Sequence, residues 1–427
     1  MKTTREFWTE GFPAPARNWK SSLFRILAHV YLIGVSLTNR LLTAIRSKAD
    51  PVNAGARKLN ILAIGPFFSE NWIAAHLEAL AGSHSVAEVA VITPESFRPI
   101  DSLRYVEFSP RVARWLGDGW ARVIAAAGQV RRSPPDLIIG YHLPWNGLAS
   151  LLLARACRAQ AYYFSVGGPA EFLGGGCYSE HALFTRIGRE SPALEARFIR
   201  LIRQFDTVLT MGSRSRALIE QLGIGIPVVP ISVGVSGAKF VQHEGSGEFD
   251  YDLVTVGRLA RIKRVDLLLQ ALANIPGRDK ISVAVVGDGR EADTLRKLAR
   301  SLGIQASVHF LGWQNEVESI LSRSRIFVMS SASEGLPLAL IEAMLSGLPA
   351  IVPDVGDISD LVVDDESGHL FVAGNTDALA TAIERLLGEP DRLGRLSQQA
   401  RRAALRYTVE ARSAGWDELF GGKRPGE

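Results

Sequence analysis

Two acidic residues that are eight positions apart, Glu334 and Glu342, are the strongest candidates for a chemical role in this sequence. They lie in the stretch SASEGLPLALIEAM (331–344), in which Gly335 and Pro337 precede an apolar, helical pattern. Proline is favoured in the first turn of a helix, and glycine lets the backbone approach a ligand closely. The free N–H groups and the dipole of a helix start bind phosphate. A carboxylate among apolar residues, such as Glu342, needs a polar partner, and a ribose diol is a suitable one.

A second candidate stretch, VTVGRLARIKRVD (254–266), has cations immediately after an apolar run. Gly257 ends that run, and Arg258 and Lys263 follow it. Cations at the end of a strand can neutralise the charge that grows on a departing diphosphate. Each stretch also has a simpler interpretation, because the cations can merely solvate a loop and the acidic pair can be solvated or favour the helix dipole.

Both stretches belong to a regular alternation of strand and helix patterns that begins after Lys58. Near-continuous apolar strands separated by helices indicate parallel sheets that are covered on both faces. The alternation stops over the polar, glycine-rich residues 236–250 and then starts again. The predicted strands are Leu59–Ile64, Val86–Ile92, Leu137–Gly140, Ala161–Ser165, Thr207–Thr210, Val228–Ile231, Leu253–Val256, Ser282–Val286, Val308–Phe310, Ile326–Met329, Ala350–Val352 and His369–Val372.

The interruption divides the chain into five predicted segments. They are a basic amphipathic segment (1–57), an N-terminal Rossmann-like domain (58–235), a linker (236–250), a C-terminal Rossmann-like domain (251–400) and a helical segment that crosses back to the first domain (401–427). In open α/β sheets ligands bind beyond the carboxyl ends of the strands. We therefore expect two doubly wound domains that face each other across a cleft, with the site in that cleft.

The N-terminal segment is basic and has a helical apolar stripe. Residues 1–58 contain ten basic and three acidic side chains, so they carry a net +7 while the whole chain carries +4. Apolar residues recur every three or four positions over Leu23–Ile45, but the part without Lys or Arg, Ile26–Asn39, is shorter than the roughly 20 residues of a spanning helix. We expect residues 19–48 to lie on an anionic membrane surface. A helix docked on the protein's own core, a signal peptide and a true span remain alternatives.

Composition excludes several classes of protein. The chain has 427 residues, of which 47% are hydrophobic and 22% charged, which is typical of a soluble protein with two or three domains. Its two cysteines cannot form a disulfide framework or a four-cysteine zinc site, and they favour a reducing, cytosolic compartment. The main body has no basic excess, which argues against a nucleic-acid partner. The scattered histidines offer no metal site, and we interpret Asp250 and Asp252 as turn and strand-start residues rather than metal ligands.

In their order and spacing, the two stretches and the E-x7-E pair resemble the retaining glycosyltransferases of family 4, which have the GT-B fold. The similarity extends over about residues 58–420 and is strongest over 252–375, where VVGDGREADTLRKLARSLGI (285–304) and GLPAIVPDVGDISDLVVDDESGHLFV (347–372) also match. The resemblance implies transfer of a sugar from a UDP- or GDP-sugar to an acceptor hydroxyl with retention of configuration. It implies no metal and no other cofactor.

The resemblance also implies roles for individual residues. The expected catalytic residues are Glu334, His142, Arg258 and Lys263, and the expected donor-binding residues are Gly257, Arg258, Lys263, Glu334, Gly335, Leu336, Pro337 and Glu342. His142 follows a strand in PDLIIGYHLPWNG and resembles the histidine that reaches the donor sugar, although a satisfied loop histidine is the alternative. On the acceptor side or the cleft loop we expect Gly65, Gly167, Gly168 and Glu171, for which a purely structural turn is the alternative.

The sequence departs from the family's pattern at several places. IGPFFSEN has one glycine where a glycine-rich turn is usual, and Gly356-Asp357 stands where Gly-Gly is common. These departures leave the acceptor undetermined. The basic segment favours a lipid-linked glycan acceptor in cell-surface polysaccharide biosynthesis, met in the cytoplasm at the inner face of the plasma membrane. A nucleotide-sugar 2-epimerase of the same fold and a catalytically silent scaffold of a membrane complex are the alternatives.

Overall fold

The protein is described by a computed structural model that covers residues 21–45, 57–179, 181, 183–240 and 249–421. These residues form two compact units. The N-terminal unit consists of 21–234 together with 409–421, and the C-terminal unit consists of 235–408. Most of the predicted linker, 241–248, lies outside the described residues, as do residues 1–20 and 46–56 of the basic segment.

The N-terminal unit contains a seven-stranded parallel sheet in the order β3-β2-β1-β4-β5-β6-β7. Its strands are β1 (Leu59–Ile64), β2 (Val86–Thr93), β3 (Leu103–Glu107), β4 (Leu137–Tyr141), β5 (Gln160–Ser165), β6 (Thr207–Thr210) and β7 (Val228–Pro230). Its helices are α1 (Ser21–Ile45), α2 (70–81), α3 (Pro110–Leu116), α4 (Asp118–Arg132), α5 (Leu148–Cys157), α6 (Pro192–Ile202) and α7 (Ser213–Gln221). Helix α2 is π-helical over Ala74–Glu78, and a second π-helical turn, Leu143–Gly147, leads into α5.

The C-terminal unit contains a six-stranded parallel sheet in the order β10-β9-β8-β11-β12-β13. Its strands are β8 (Tyr251–Val256), β9 (Val283–Val286), β10 (Val308–Gly312), β11 (Ser324–Val328), β12 (Ala350–Pro353) and β13 (Gly368–Phe371). Its helices are α8 (Val265–Asn274), α9 (Ala292–Ser301), α10 (Glu318–Ser322), α11 (Leu338–Leu345), α12 (Thr376–Gly388) and α13 (Pro390–Ala404). The last helix of the chain, α14 (Val409–Phe420), belongs to the N-terminal unit.

Every predicted strand is present, with ends within two residues of those expected. The strands are apolar because helices cover both faces of each sheet; in the C-terminal unit, for example, Leu253 and Val283 are completely buried beneath Leu268 of α8 and its neighbours. The structure adds β3, whose residues are only partly buried. Its edge position explains why the strand lacks the continuous apolar run by which the others were predicted.

The chain leaves the C-terminal unit after Thr408, rather than at 401 as the predicted segments have it. Helix α13 stays with the C-terminal unit, where the Ser397 hydroxyl donates to Gly347 O over 2.6 Å. Helix α14 packs beside the end of α2, where the Ser83 hydroxyl donates to Asp417 over 2.6 Å. The turn at Leu405–Tyr407 therefore separates two helices that belong to different units.

Helix α1 docks on the N-terminal unit through one side and is apolar on the opposite side. Its inner side, with Ala28, Leu32, Val35 and Asn39, is buried. Its exposed residues include seven large apolar ones, each 37–61% exposed: Leu23, Ile26, Leu27, Val30, Ile33, Leu37 and Leu41. The polar residues Ser22, Thr38, Arg40 and Thr43 are exposed as well. By length and composition, Ser21–Ala44 could also cross a membrane. The docked interpretation of this helix therefore leaves a second apolar side without protein cover among the described residues.

The two sheets share one topology. In each, the first strand of the unit lies between the second and the fourth, so that the strand order reverses at β1/β4 and at β8/β11. Such a reversal opens a crevice at the carboxyl ends of the strands, where ligands of doubly wound sheets bind. The sequence-predicted residues follow these strands: Gly65 follows β1, His142 follows β4, Gly257 follows β8 and Glu334 lies beyond β11.

Candidate active-site residues

The loop after β8 is shaped by glycines of the neighbouring loop. A Cβ on Gly287 would lie 2.0 Å from Gly257 O, and one on Gly289 would lie 2.3 Å from Leu259 O. Both glycines also have positive φ, so side chains are excluded there by space and by conformation. The loop that carries Arg258 therefore lies directly on the loop after β9, and Arg258 itself is exposed.

Lys263 and Glu334, from the two predicted stretches, form an ion pair. Lys263 ends the short 3-10 turn before α8, and its Nζ lies 2.7 Å from Glu334 Oε1. The Lys263 side chain is 26% exposed and that of Glu334 only 9%. The backbone joins the same two loops, because Ala332 N–H donates to Ile262 O over 2.8 Å. A contact between residues 71 positions apart is thus built by the meeting of β8 and β11.

The segment from Gly335 to Pro337 leads into α11 with a free helix start. Leu336 and Pro337 are buried, and Pro337 is the extended N-cap residue. No side chain of the described residues caps this start. The first N–H groups of α11 therefore remain available to an anion, to which the helix dipole adds.

Gly356 supports the backbone of Glu334 from the loop after β12. It has φ +57°, and a Cβ at this position would lie 1.9 Å from the carbonyl oxygen of Glu334. Beside it, Asp357 N–H donates to Gly335 O over 3.1 Å. The Gly356-Asp357 pair, which departs from the family's usual Gly-Gly, keeps the first glycine where backbone meets backbone.

Glu342 lies on α11 in surroundings that oppose its charge. The pKa of its carboxyl group is raised to about 7: burial is the largest cause, the negative charge of Glu318 also raises the pKa, and Lys239 lowers it. Among the described residues, no hydrogen bond to its carboxylate oxygens is formed. Such a carboxylate is costly unless a ligand supplies donors.

His142 stands at the end of β4 in an unusual backbone conformation. Its φ of 65° and ψ of 127° are rare for a residue with a side chain, and the π-helical turn Leu143–Gly147 follows at once. Its side chain is 33% exposed. The ring of Trp72 lies parallel to the imidazole, with ring centroids 6.4 Å apart.

Glu171 accepts four hydrogen bonds from protein groups. Its Oε1 lies 2.9 Å from His142 Nδ1 and 2.7 Å from Gly167 N, and its Oε2 lies 2.7 Å from Leu143 N and 2.8 Å from the Tyr163 hydroxyl. The side chain is 5% exposed. The sequence suggested a loop residue that contacts substrate, whereas the structure uses this carboxylate inside the N-terminal unit.

The other predicted glycines of this unit shape its backbone. A Cβ on Gly65 would lie 2.9 Å from Tyr141 Cβ, so Gly65 lets the ends of β1 and β4 approach. Gly168 has φ +67°. Gly167 has an ordinary φ of −81° and donates its N–H to Glu171.

Two buried polar groups beside His142 were not predicted from the sequence. The Trp72 and His76 rings are in contact, with centroids 3.9 Å apart, and Trp72 Nε1 and His76 Nε2 are buried without a hydrogen-bond partner among the described residues. The pKa of His76 is lowered to about 3: burial is the largest cause, the hydrogen bond to Trp72 O opposes the shift, and the nearby His142 adds to it. The π-helical turn that brings His76 inward is frequent at functional sites, but it has no sequence signature.

Within the described residues, no cluster of three or more His, Cys, Asp or Glu side chains is placed to bind a metal ion. Asp250 and Asp252 form structural contacts within the C-terminal unit. Asp250 forms an ion pair with Arg323, and Asp252 pairs with Arg325 over 2.8 Å while it accepts the Ser282 N–H. This is consistent with their interpretation as turn and strand-start residues.

The fold is shared with solved structures, one of which contains UDP-glucose. Anabaena HepE in complex with UDP-glucose has a TM-score of 0.64 and 17% sequence identity, and the match covers 85% of this chain and all of that one. Together with the two parallel, doubly wound sheets, this confirms the predicted α/β fold of the GT-B type.

Sequence relatives define the family. Residues 237–403 match the family described as glycosyl transferases group 1. EpsD of Bacillus subtilis (strain 168), named as a glycosyltransferase, is 30% identical over 294 residues, which are 65% of this chain and 74% of EpsD. The lipopolysaccharide core biosynthesis glycosyltransferase LpsE of Rhizobium meliloti (strain 1021) is 28% identical over 172 residues. That match covers 40% of this chain and half of LpsE. The chain belongs to the glycosyltransferases.

Proposed function

We propose that this glycosyltransferase transfers a sugar from a nucleoside diphosphate sugar to an acceptor hydroxyl, with retention of the anomeric configuration. The observation that carries the proposal is the meeting of Lys263, Glu334 and the uncapped start of α11 at the reversal point of the C-terminal sheet. Cationic and helix-start groups suit a diphosphate, and the neighbouring carboxylate suits sugar hydroxyls.

The residues take separate roles in this proposal. Arg258, Lys263 and the first N–H groups of α11 neutralise the diphosphate as its charge grows, which makes the reaction independent of a metal ion. Glu334 binds donor-sugar hydroxyls, and Glu342 accepts hydrogen bonds from the ribose diol. His142 contacts the donor sugar, as the family resemblance implies. In the reaction, the acceptor oxygen bonds to the anomeric carbon on the face that the phosphate oxygen leaves, and the acceptor proton passes to the departing phosphate.

The acceptor in this proposal is a lipid-linked glycan of a surface polysaccharide, met at the inner face of the plasma membrane. The name of LpsE points to glycan assembly, and the apolar outer side of α1 points to the membrane. Tyr31 of α1 stacks on Trp145, which meets the half-exposed Trp120 edge to face, so aromatic side chains adjoin this surface. Trp is favoured at bilayer interfaces, and the segment's basic charge suits anionic lipid.

Ligand binding and product analysis test the reaction. We expect one class among UDP-, GDP- and ADP-sugars to raise the melting temperature of the full chain, because a ligand of the native state stabilises it. With that donor and a lipid-linked glycan extract, the product should keep the donor's anomeric configuration, with undiminished rate in EDTA. A panel without any stabilising nucleotide, an inverted product or a free epimerised sugar from donor alone would each contradict the proposal.

Vesicle flotation tests the membrane surface. The full chain should float with vesicles of phosphatidylglycerol and phosphatidylcholine, whereas Val30→Asn with Leu37→Asn should stay in the dense fraction with an unchanged melting temperature. The control Trp313→Asn removes an apolar side chain that is 67% exposed in the C-terminal unit, and it should float like the unaltered chain. Equal flotation of the α1 variant would show that this side of α1 does not bind the bilayer.

A further inference from the structure

We infer that Glu171 is a positioning residue, which fixes the orientation and the proton of the His142 imidazole and the conformation of the peptide that follows it. The importance of His142 for catalysis rests on the proposed function, but the coupling between Glu171 and His142 does not. The inference gives Glu171 a role through another residue, instead of a direct contact with substrate.

The first line of evidence is how completely the carboxylate is used. A carboxylate is an acceptor only, and here each oxygen takes two donors: Oε1 those of His142 and Gly167, and Oε2 those of Leu143 and Tyr163. One donor on each oxygen is a backbone N–H, which cannot reverse its role. A glutamine amide has only one oxygen, so it leaves one of the two backbone N–H groups facing an NH₂ group whichever way it turns.

The second line of evidence is the strained backbone on which His142 stands. A side chain at φ 65° and ψ 127° persists only where its surroundings hold it there. Glu171 binds both parts of this dipeptide, the imidazole of His142 and the N–H of Leu143. The following π-helical turn adds the Gly147 N–H to the His142 carbonyl, over 2.8 Å. One carboxylate thus fixes the side chain and the next peptide together.

The chemical consequence concerns the two nitrogens of the ring. With Nδ1–H donating to Glu171, a neutral imidazole has its acceptor nitrogen at Nε2. Trp72 lies parallel to the ring and further limits its orientation. A histidine in this state presents the same nitrogen in every turnover, whereas a ring without the carboxylate can exchange tautomers and rotate. At metal sites, residues that orient a histidine in this way account for roughly 10- to 100-fold of affinity or activity.

The test compares Glu171→Gln with a matched control, Glu195→Gln. Glu195 is also buried in the N-terminal unit and accepts a backbone N–H of the same glycine-rich segment, that of Gly174 over 2.7 Å. This contact with Gly174 does not involve His142. Both variants remove a buried carboxylate, so both should lower the melting temperature, and only the first should change His142.

The ¹⁵N NMR signals of the His142 ring report its tautomer, which a general loss of packing does not change. In the full chain labelled with ¹⁵N-histidine and without substrate, the His142 signal, assigned by its loss in His142→Gln, should show a protonated Nδ1. Glu171→Gln should shift the ring toward the Nε2–H tautomer or toward exchange between the two, and Glu195→Gln should leave the pattern intact. An unchanged pattern in Glu171→Gln, or an equal change in Glu195→Gln, would overturn the inference.

A second variant keeps the test valid if Glu171→Gln fails to fold. Gly167 has an unstrained φ of −81°, and a Cβ there would lie 3.2 Å from Glu171 Cγ and Oε1. Gly167→Ala therefore crowds the carboxylate without removing it. The His142 ring signals should move in the same direction as in Glu171→Gln, but less, and no movement would count against the coupling.

Transfer kinetics separate this inference from the proposed function. We expect Glu171→Gln to lower kcat roughly tenfold or more while the KM for the sugar nucleotide changes little, because the binding groups in the C-terminal unit are untouched. A changed tautomer with an unchanged kcat would refute the positioning role in catalysis. A changed tautomer in a chain that transfers no sugar from any donor would instead refute the proposed function and leave the coupling intact.

Discussion

His142 and Glu334 follow the fourth strand of their respective units, β4 and β11, at the points where the two sheets reverse their order. The structure supports them by different means. His142 depends on a side chain, the carboxylate of Glu171, which reaches it from 29 positions away. Glu334 depends on backbone contacts, with Gly356 against its carbonyl group and Asp357 N–H on Gly335 O, and on the ion pair with Lys263.

Because the supports differ, each site is sensitive to a different kind of substitution. A side-chain support fails when one polar group is replaced, because its donors lose their acceptor inside the protein. A backbone support fails when an atom is added, because there is no space for it. The same topology can therefore present a functional side chain in two ways, and the two ways have different weak points.

The largest effect is expected when the supported group itself is changed in the C-terminal unit. Glu334→Gln keeps the size of the side chain and a hydrogen-bond acceptor for Lys263, so the melting temperature should change little. Transfer should fall about 100-fold or more, since the charged contact with the donor sugar is lost. Steady-state transfer assays and thermal melts of the same preparations measure both quantities.

The control for this variant is Glu366→Gln, which changes an exposed carboxylate of the same unit. It should leave the rate and the melting temperature unchanged. If Glu334→Gln lost stability and activity in equal proportion, Glu334 would be a supporting residue like Glu171, and the contrast between the two units would disappear.

The next effect concerns the backbone support of Glu334. Gly356→Ala places a Cβ 1.9 Å from the Glu334 carbonyl oxygen, whereas Gly374→Ala has nothing within 4 Å, although both glycines have positive φ. Conformational strain should cost each variant about 1–2 kcal/mol of unfolding free energy. The clash should cost Gly356→Ala a further 1–3 kcal/mol or so, and should weaken sugar-nucleotide binding.

Urea unfolding and calorimetric titration with the stabilising sugar nucleotide distinguish the two glycine variants. The difference between them isolates the contact from the strain, because the strain is common to both. Equal destabilisation, with binding intact in both, would mean that Gly356 does not position Glu334.

The smallest effect is a pH dependence from Glu342, the carboxylate without protein donors in the described residues. Its raised pKa of about 7 means that the folded state binds the proton more tightly than the unfolded state does. The associated stability is complete below about pH 4.5 and is lost as the pH rises through about 7. From pH 5 to pH 8, the unfolding free energy of Glu342→Gln should therefore gain roughly 2 kcal/mol relative to that of the unaltered chain.

Denaturant unfolding at the two pH values checks this sign. Glu366→Gln should leave the difference between pH 5 and pH 8 unchanged. The stabilised Glu342→Gln variant should at the same time bind the sugar nucleotide less tightly, because an NH₂ group replaces one of the two oxygens that accept hydrogen bonds from the ribose diol. A variant that was less stable at pH 8 would show that Glu342 has protein partners after all.

The sequence alone was sufficient for the features that are local along the chain. Continuous apolar runs predicted the strands of both sheets, and the E-x7-E pair with the Gly-x-Pro turn predicted a helix start beyond β11, which the structure places at Leu338. These features depend on neighbouring residues, whose periodicity and turn chemistry reflect their own conformation. The edge strand β3 was missed because its pairing with β2, rather than its composition, makes it a strand.

Only the tertiary structure decided which side chains support which. The contacts Glu171–His142 and Lys263–Glu334 join residues 29 and 71 positions apart, and the carboxyl ends of parallel strands bring them together. The carboxylate of Glu171 accepts four hydrogen bonds, whereas burial and the negative charge of Glu318 oppose ionisation of Glu342. The residues next to each glutamate in the chain do not reveal this difference. The surroundings of a polar group come from distant segments, and its partners and its pKa follow from them.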